Sequence, residues 1–318
     1  MNAIEPRAIR AAIRDTRLQS LSLLLPARCR DIPFEISCCL HSLDGLHDNL
    51  SSCVEAHRFV RKMSGGSQAH LIQAMDGRSY VVKFTNNPQH PRILINEWIT
   101  AKVLRHLGIL TPDTAIVNFS ADVIRDNPEL HIQLGSRRTP PPCGLHFGSL
   151  FAGDSGQMAR SRLPNPTWAS VVNLSDFCGV LVADKWLGNT DSRQAVFVRL
   201  SGVHSAFSFL AHMIDNGQMF DGGNWRFEDS PLRGPYYGLV YPDVQSLEAF
   251  DPWLKAVATF PEALLRDAFQ VIPSSWLRGD TESAFETLLD QLMRRRGHVG
   301  DLICACRSQP TNPFPNWS

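Results

Sequence analysis

The sequence predicts an α+β chain, with an antiparallel sheet and one key helix in its first folded part and a mostly helical second part. Two observations carry this. Between Val54 and Phe119, short runs rich in β-branched and aromatic residues alternate with Gly-Gly and Asp-Gly turns. From Leu174 onward the apolar residues fall three and four apart, first at Phe177, Val180, Leu181 and Leu187 and later at Phe285, Leu288, Leu289 and Leu292.

Composition narrows the class. With 318 residues, 43% hydrophobic and 19% charged, the chain has the make-up of a soluble globular protein with room for a real core. Its 31 Lys and Arg balance 31 Asp and Glu, so no global charge argues for a nucleic acid or an anionic membrane, and no motif for either is visible. No run reaches the roughly 18 apolar residues that a membrane span needs. Arg7, Arg10, Arg14 and Arg17 precede the apolar run Leu21 to Pro26, but that run is shorter than a secretory signal core and has no small-residue cleavage pattern, so a cytoplasmic protein is expected. The eight cysteines match no zinc spacing and read as reduced thiols.

Taken in order, residues 1–53 are expected to be a poorly ordered extension, because the basic stretch Ala3 to Leu24 gives way to Pro, Cys and Ser without a period. Strands are expected over Phe59 to Met63, Ala69 to Ala74 and Tyr80 to Phe84, joined by Ser64 to Gln68 and by Asp76-Gly77. A hairpin carrying Gly65, Gly66 and Ser67 lets backbone N–H groups approach phosphates, since no Cβ stands in the way, although Gly65-Gly66 alone is equally an ordinary turn. Lys83 lies in an otherwise apolar strand, where it needs an anionic partner. The helix from Arg92 to Leu107, opened by Pro91 and ended by Gly108, offers Glu97 on a flank that can face the sheet. A strand lysine followed by such a glutamate is the ion pair that grips the α- and β-phosphates in phosphoryl transfer. Further strands are expected over Thr111 to Phe119, Leu130 to Leu134 and His146 to Phe151, with turns at Gly153 to Gly156 and Pro164 to Pro166.

The second part holds the remaining candidates. Asp184 ends the helical stretch, Asn189 follows five residues later, and strands Ala195 to Leu200 and Phe207 to Ile214 lead into Asp215-Asn216-Gly217. That layout suits an aspartate that orients an attacking hydroxyl, with Asn189 and Asp215 holding Mg2+, though each piece alone is also plain turn chemistry. Helices are expected over Asp251 to Val257, Pro261 to Gln270 and Thr281 to Arg296, with Arg294 to Arg296 complementing the last dipole and a frayed tail from Ser308.

The order of the Gly-rich hairpin, Val81-Val82-Lys83-Phe84, Asn96-Glu97-Trp98, Asp184-Lys-Trp-Leu-Gly-Asn189 and Ile214-Asp215-Asn-Gly217 resembles the HipA-like kinase domain, a bacterial branch of the protein kinase-like and phosphatidylinositol kinase-like superfamily. Arg61 to His70, Leu145 to Gly148 and Ile272 to Trp276 also look like that group, and the likeness runs from about residue 54 to 307. The resemblance implies a two-lobed protein kinase-like fold, with a nucleotide-binding lobe over 54–152, a catalytic lobe over 153–307 and a tail over 308–318. It also implies ATP and Mg2+ as cofactors and a protein or small-molecule hydroxyl as the acceptor, whose identity no residue reveals. By that resemblance Lys83 binds phosphates, Glu97 orients Lys83, Asp184 is the base, and Asn189 and Asp215 hold the metal. Two departures stand out: Trp186 replaces the usual His two residues after the base, and the strand after Asn189 starts late. The delay allows a second register with Asp191 as the base, which leaves Val196 at the metal Asn position and Gln194 as the nearby carboxamide. Asp184 is preferred because it keeps the Asp-to-Asn spacing. Failing both registers, the expectation is a nucleotide-binding pseudokinase, or an interaction protein that uses only the scaffold's surface.

Overall fold

The computed structural model describes residues 53–153, 159–161, 163, 165–200, 208–236 and 239–317. The expected N-terminal extension therefore lies outside the described residues except for Cys53, which begins β1 (Cys53–Lys62). β1 pairs antiparallel with β2 (His70–Ala74), and β2 with β3 (Ser79–Lys83), as the turn residues suggest. The meander then closes on itself. β3 pairs with β7 (Gly144–Leu150), β7 with β4 (Thr114–Phe119), and β4 with β1 in parallel, giving a five-stranded barrel.

That parallel closure departs from the purely antiparallel sheet expected. Its cause lies in β1, where register shifts between Ala56 and Arg58 and between Phe59 and Arg61 bend the strand. Cys53 to Glu55 meet Ile116 to Asn118, while the later residues meet β2. Val54, Ile72, Tyr80, Val82, Phe84, Val117 and Phe119 fill the barrel. Between β3 and β4 the chain inserts α1 (Ile93–His106), and between β4 and β7 it inserts α2 (Ala121–Asp126) and the hairpin of β5 (Ile132–Leu134) with β6 (Arg137–Thr139), whose second strand has no clear sequence signal.

Helix α1 joins the barrel to the helical part. Leu94, Ile95, Ile99 and Val103 enter the larger core alongside Phe177, Val180 and Trp186, and the Trp98 indole donates to the Ala268 carbonyl at 3.0 Å. Helix α3 (Asp176–Leu187) is buried along its whole length, which is why its apolar residues show little one-sidedness. It ends at Gly188, whose φ of 64° is the left-handed stop that a Cβ disfavours. β8 (Ala159–Arg160), β9 (Gln194–Leu200) and β10 (Ser208–Ile214) form a second, antiparallel sheet beside it.

Beyond Gly217 the expectation of mostly helix holds only from α4 (Asp251–Ala258), through α5 (Glu262–Gln270) and α6 (Thr281–Arg295), to α7 (Val299–Arg307). The described residues from 218 to 246 are turns and extended chain. The tail is not frayed. Phe314 is fully buried against Tyr241 and Phe250, and Asn316 donates to the Pro242 carbonyl at 2.7 Å, so one aromatic anchor outweighs the Pro and Asn around it. Among the described residues Cys53, Cys143, Cys178, Cys304 and Cys306 are in no disulfide, while Cys29, Cys38 and Cys39 lie outside the described residues. No helix among the described residues is long and apolar enough to cross a membrane.

Candidate active site

Lys83 is the last residue of β3, and α1 presents Glu97 to it. The side chain is 8% exposed, forms an ion pair with Glu97, and donates to Asp215 Oδ1 at 2.7 Å. Burial alone would lower the lysine's pKa, but the carboxylates of Glu97 and Asp215 outweigh it and hold the ammonium above its ordinary value. Lys83 in turn pulls Asp215 below the usual carboxylate range against the opposing effect of burial, with help from Arg193 and from a hydrogen bond of Gln194. Asp215 takes a φ of 59° at the end of β10, which turns its side chain back toward β3, and it stays 35% exposed. Gly217 must approach closely: a Cβ there would lie 2.7 Å from Ile93 Cγ2 and within 3.5 Å of both Glu97 and Lys83.

Asp184 behaves differently. It sits in the last turn of α3, with its side chain fully buried, and its two oxygens receive the Nε and Nη2 groups of Arg193. The same guanidinium donates through Nη1 to the Ile214 carbonyl at 3.1 Å and to Asn216 Oδ1 at 2.8 Å. Burial pushes the Asp184 carboxyl up, and Arg193 pulls it down. Sequence reasoning overlooks Arg193, since a loop arginine before a strand reads as a surface charge. Asp184 and the turn at Asp215 are thus joined through Arg193.

Asn189, 5% exposed, continues the turn that Gly188 starts. Its backbone N–H donates to the Asp184 carbonyl at 2.9 Å and its Oδ1 accepts from the Asp191 N–H at 3.0 Å. Asp191 is exposed, and its Oδ1 accepts from the Ser192 N–H at 2.7 Å. Gln194, opposite Ile214 in the β9–β10 register, donates to Asp215 Oδ2 at 2.9 Å. Trp186 is core: its indole donates to the Leu292 carbonyl at 2.9 Å and the ring is fully buried.

The Gly65, Gly66 and Ser67 loop closes the β1–β2 hairpin. Gly65 has a φ of 118° with open space where a Cβ would stand, Gly66 lies against the Gln89 amide, and Ser67 is buried. Gln68 ties this loop to β5, accepting from the Gln133 N–H and donating to the Gln133 carbonyl, each at 2.8 Å. Among the described residues no group of three His, Cys, Asp or Glu could hold a metal. Gln194 is hydrogen-bonded to Asp215, and the Asp191 N–H to Asn189, so the carboxylate and carboxamide oxygens that a hard cation prefers occur here as two separate pairs.

Residues 57–197 match the model of the HipA-like kinase family, which bears out the resemblance read from the sequence; the match spans Lys83, Glu97 and the Asp184 to Asn189 motif but stops short of Asp215. Solved structures of a Golgi casein kinase are also similar to the chain. One shares 13% identity at a TM-score of 0.44, over 86% of this chain and 75% of that one; another, with Mn/ADP bound, shares 12% at 0.42, over 86% and 76%. No curated protein matches the chain.

Proposed function

We propose that the chain is a HipA-like kinase that transfers the γ-phosphate of ATP to a hydroxyl, a Ser or Thr of a protein, with Mg2+ as the cofactor. The observation that carries this reading is Lys83, buried and charged between Glu97 and a partly open Asp215. In this reading residues 54–152 form the nucleotide-binding lobe and residues 153–307 the catalytic lobe. Lys83 grips the phosphates, Glu97 aims Lys83, and the N–H groups of Gly65, Gly66 and Ser67 cover the nucleotide.

The base is Asp191 rather than Asp184. Asp191 is exposed and has an oxygen free to accept the acceptor's proton, whereas both oxygens of Asp184 are occupied by Arg193 in a sealed site. Asp215 and Gln194 would hold Mg2+, with Asn189 setting the turn that presents Asp191. When bound, the ion neutralises charge on the phosphates. The test is ATP titration with Mg2+, following turnover and autophosphorylation, in wild type, Asp191→Asn, Asp184→Asn and Asp215→Ala. Turnover lost in Asp191→Asn with ATP binding intact supports the assignment; full activity in that variant removes it. Val196, at the position where this register expects the metal Asn, favours a second reading in which the site binds nucleotide without turnover. That reading predicts a rise in melting temperature with Mg-ATP and no phosphate transfer.

A further inference from the structure

Past Asp215 the chain makes a left-handed turn, with φ of 59°, 58° and 59° at Phe220, Asp221 and Gly222, followed by 53° at Trp225. Side chains of L-residues resist this conformation, so consecutive non-glycine residues hold it only when outside partners over-determine it. Some partners come from the end of α3: the Phe220 N–H donates to the Leu187 carbonyl at 2.8 Å and the Asp221 N–H to the Gly188 carbonyl at 3.3 Å. Thr190 donates its N–H and its hydroxyl to the Gln218 carbonyl at 3.1 and 3.2 Å, and α1 supplies further partners. Asn96, fully buried, donates from its amide to the carbonyls of Gly217 at 2.8 Å, Met219 at 2.9 Å and Gly222 at 2.7 Å, and its Oδ1 accepts from the Trp225 indole at 2.8 Å.

An amide nitrogen carries two hydrogens, so the three carbonyls share them, and the partners settle the amide's orientation: flipped, its oxygen would face three carbonyl oxygens. One helical turn earlier, Arg92 donates to the Gly223 carbonyl at 3.2 Å and lays its guanidinium 4.6 Å from the Trp225 ring centre. Adjacent residues on a helix project about 100° apart. Asn96 and Glu97 therefore reach two different neighbours from one rigid element, the left-handed turn and Lys83.

We infer that Asn96 is a positioning residue: by holding the turn from Gly217 to Gly222 it keeps Asp215 and Gly217 against the Lys83–Glu97 pair. The inference rests on the kinase reading for what Asp215 does, but not for what Asn96 holds. A residue that merely fills the core would need volume there. The geometry needs N–H donors.

Hydrogen exchange read by mass spectrometry on the full chain, for wild type, Asn96→Ala and Trp225→Phe, tests the hold directly. In Asn96→Ala the amides of residues 216–225 should exchange about tenfold faster or more, with the barrel strands unchanged. Trp225→Phe, which keeps an aromatic side chain but loses the indole donor together with the five-membered ring, should show a smaller effect in the same segment. Turnover tests the positioning: in Asn96→Ala the Mg2+ concentration for half-maximal rate should rise at least about threefold, with the KM for ATP at saturating Mg2+ held. Unchanged exchange over 216–225, or equal acceleration everywhere, overturns the hold. Faster exchange with an unchanged Mg2+ requirement overturns the positioning role. Should Asn96→Ala not fold, Trp225→Phe decides by the same two readouts. A wild type without turnover sinks the kinase reading instead, and the exchange result then decides the hold alone.

Discussion

Two buried ion clusters flank the turn at Asp215, and they differ in what they leave unsatisfied. In the first, Lys83 faces two carboxylates, and one of these, Asp215, keeps 35% of its side chain exposed. In the second, Asp184 and Arg193 balance one to one, both side chains are fully buried, and Nη1 of the guanidinium is spent on Ile214 and Asn216. A cluster that is neutral, dry and hydrogen-bonded at every carboxylate oxygen has no acceptor left with which to bind a ligand, whereas an excess carboxylate at a surface does. The aspartate at the more familiar spacing is the sealed one.

The contrast breaks most visibly at Asp184. Asp184→Ala leaves the Arg193 charge buried without its carboxylate, so stability should fall by about 3–5 kcal/mol in a urea titration. An unchanged midpoint together with lost turnover would make Asp184 the open site and reverse the comparison. Lys83→Met should act on the other cluster: turnover should drop at least about 100-fold, read as kcat/KM for ATP, while the chain still unfolds cooperatively. Asp191→Asn sharpens the distinction further. Being exposed, it should shift stability by no more than about 0.5 kcal/mol while lowering kcat about 100-fold.

The smallest expected effect is pH-dependent and lies in the barrel. His146 is fully buried between Phe84 and Phe119; its Nδ1 accepts from the Thr85 N–H at 3.1 Å and its Nε2 donates to the Pro142 carbonyl at 2.9 Å. Burial lowers its pKa from 6.5 to about 4, and burial lowers His70 and His212 in the same direction. Because the folded value is depressed, the neutral ring contributes stability in full above the unfolded pKa of 6.5 and loses it as pH falls through about 4. Melting temperature should therefore fall across that window, and less steeply in His146→Asn, which can still accept from Thr85. An equal slope in the variant would show that the acid sensitivity lies elsewhere.

Much of this arrangement was legible in the chain before folding. A charged residue inside an apolar strand has few ways to be satisfied, so Lys83 announced its need for a carboxylate, and the helix after Pro91 supplied Glu97. Turn residues located most of the strands to within a few positions, although β1 starts at Cys53 rather than Phe59, and three- and four-residue spacing located α3 and α6. Arg193 and Asn96 were not legible. Each looks like an ordinary polar surface residue locally, and each is buried by chain that comes later, Asn96 by a turn more than a hundred residues on.

Local pattern thus settles which residues lie on strands and helices and which charges need partners, because steric preference and desolvation act on a residue wherever the chain goes. It does not settle which of two aspartates faces water. That depends on Arg193 folding back onto Asp184 from beyond Gly188, on β1 closing the barrel in parallel with β4, and on Asn96 gripping a left-handed turn. These are contacts between distant segments, and burial, which decides whether a carboxylate is structural or open to a ligand, exists only once they have formed.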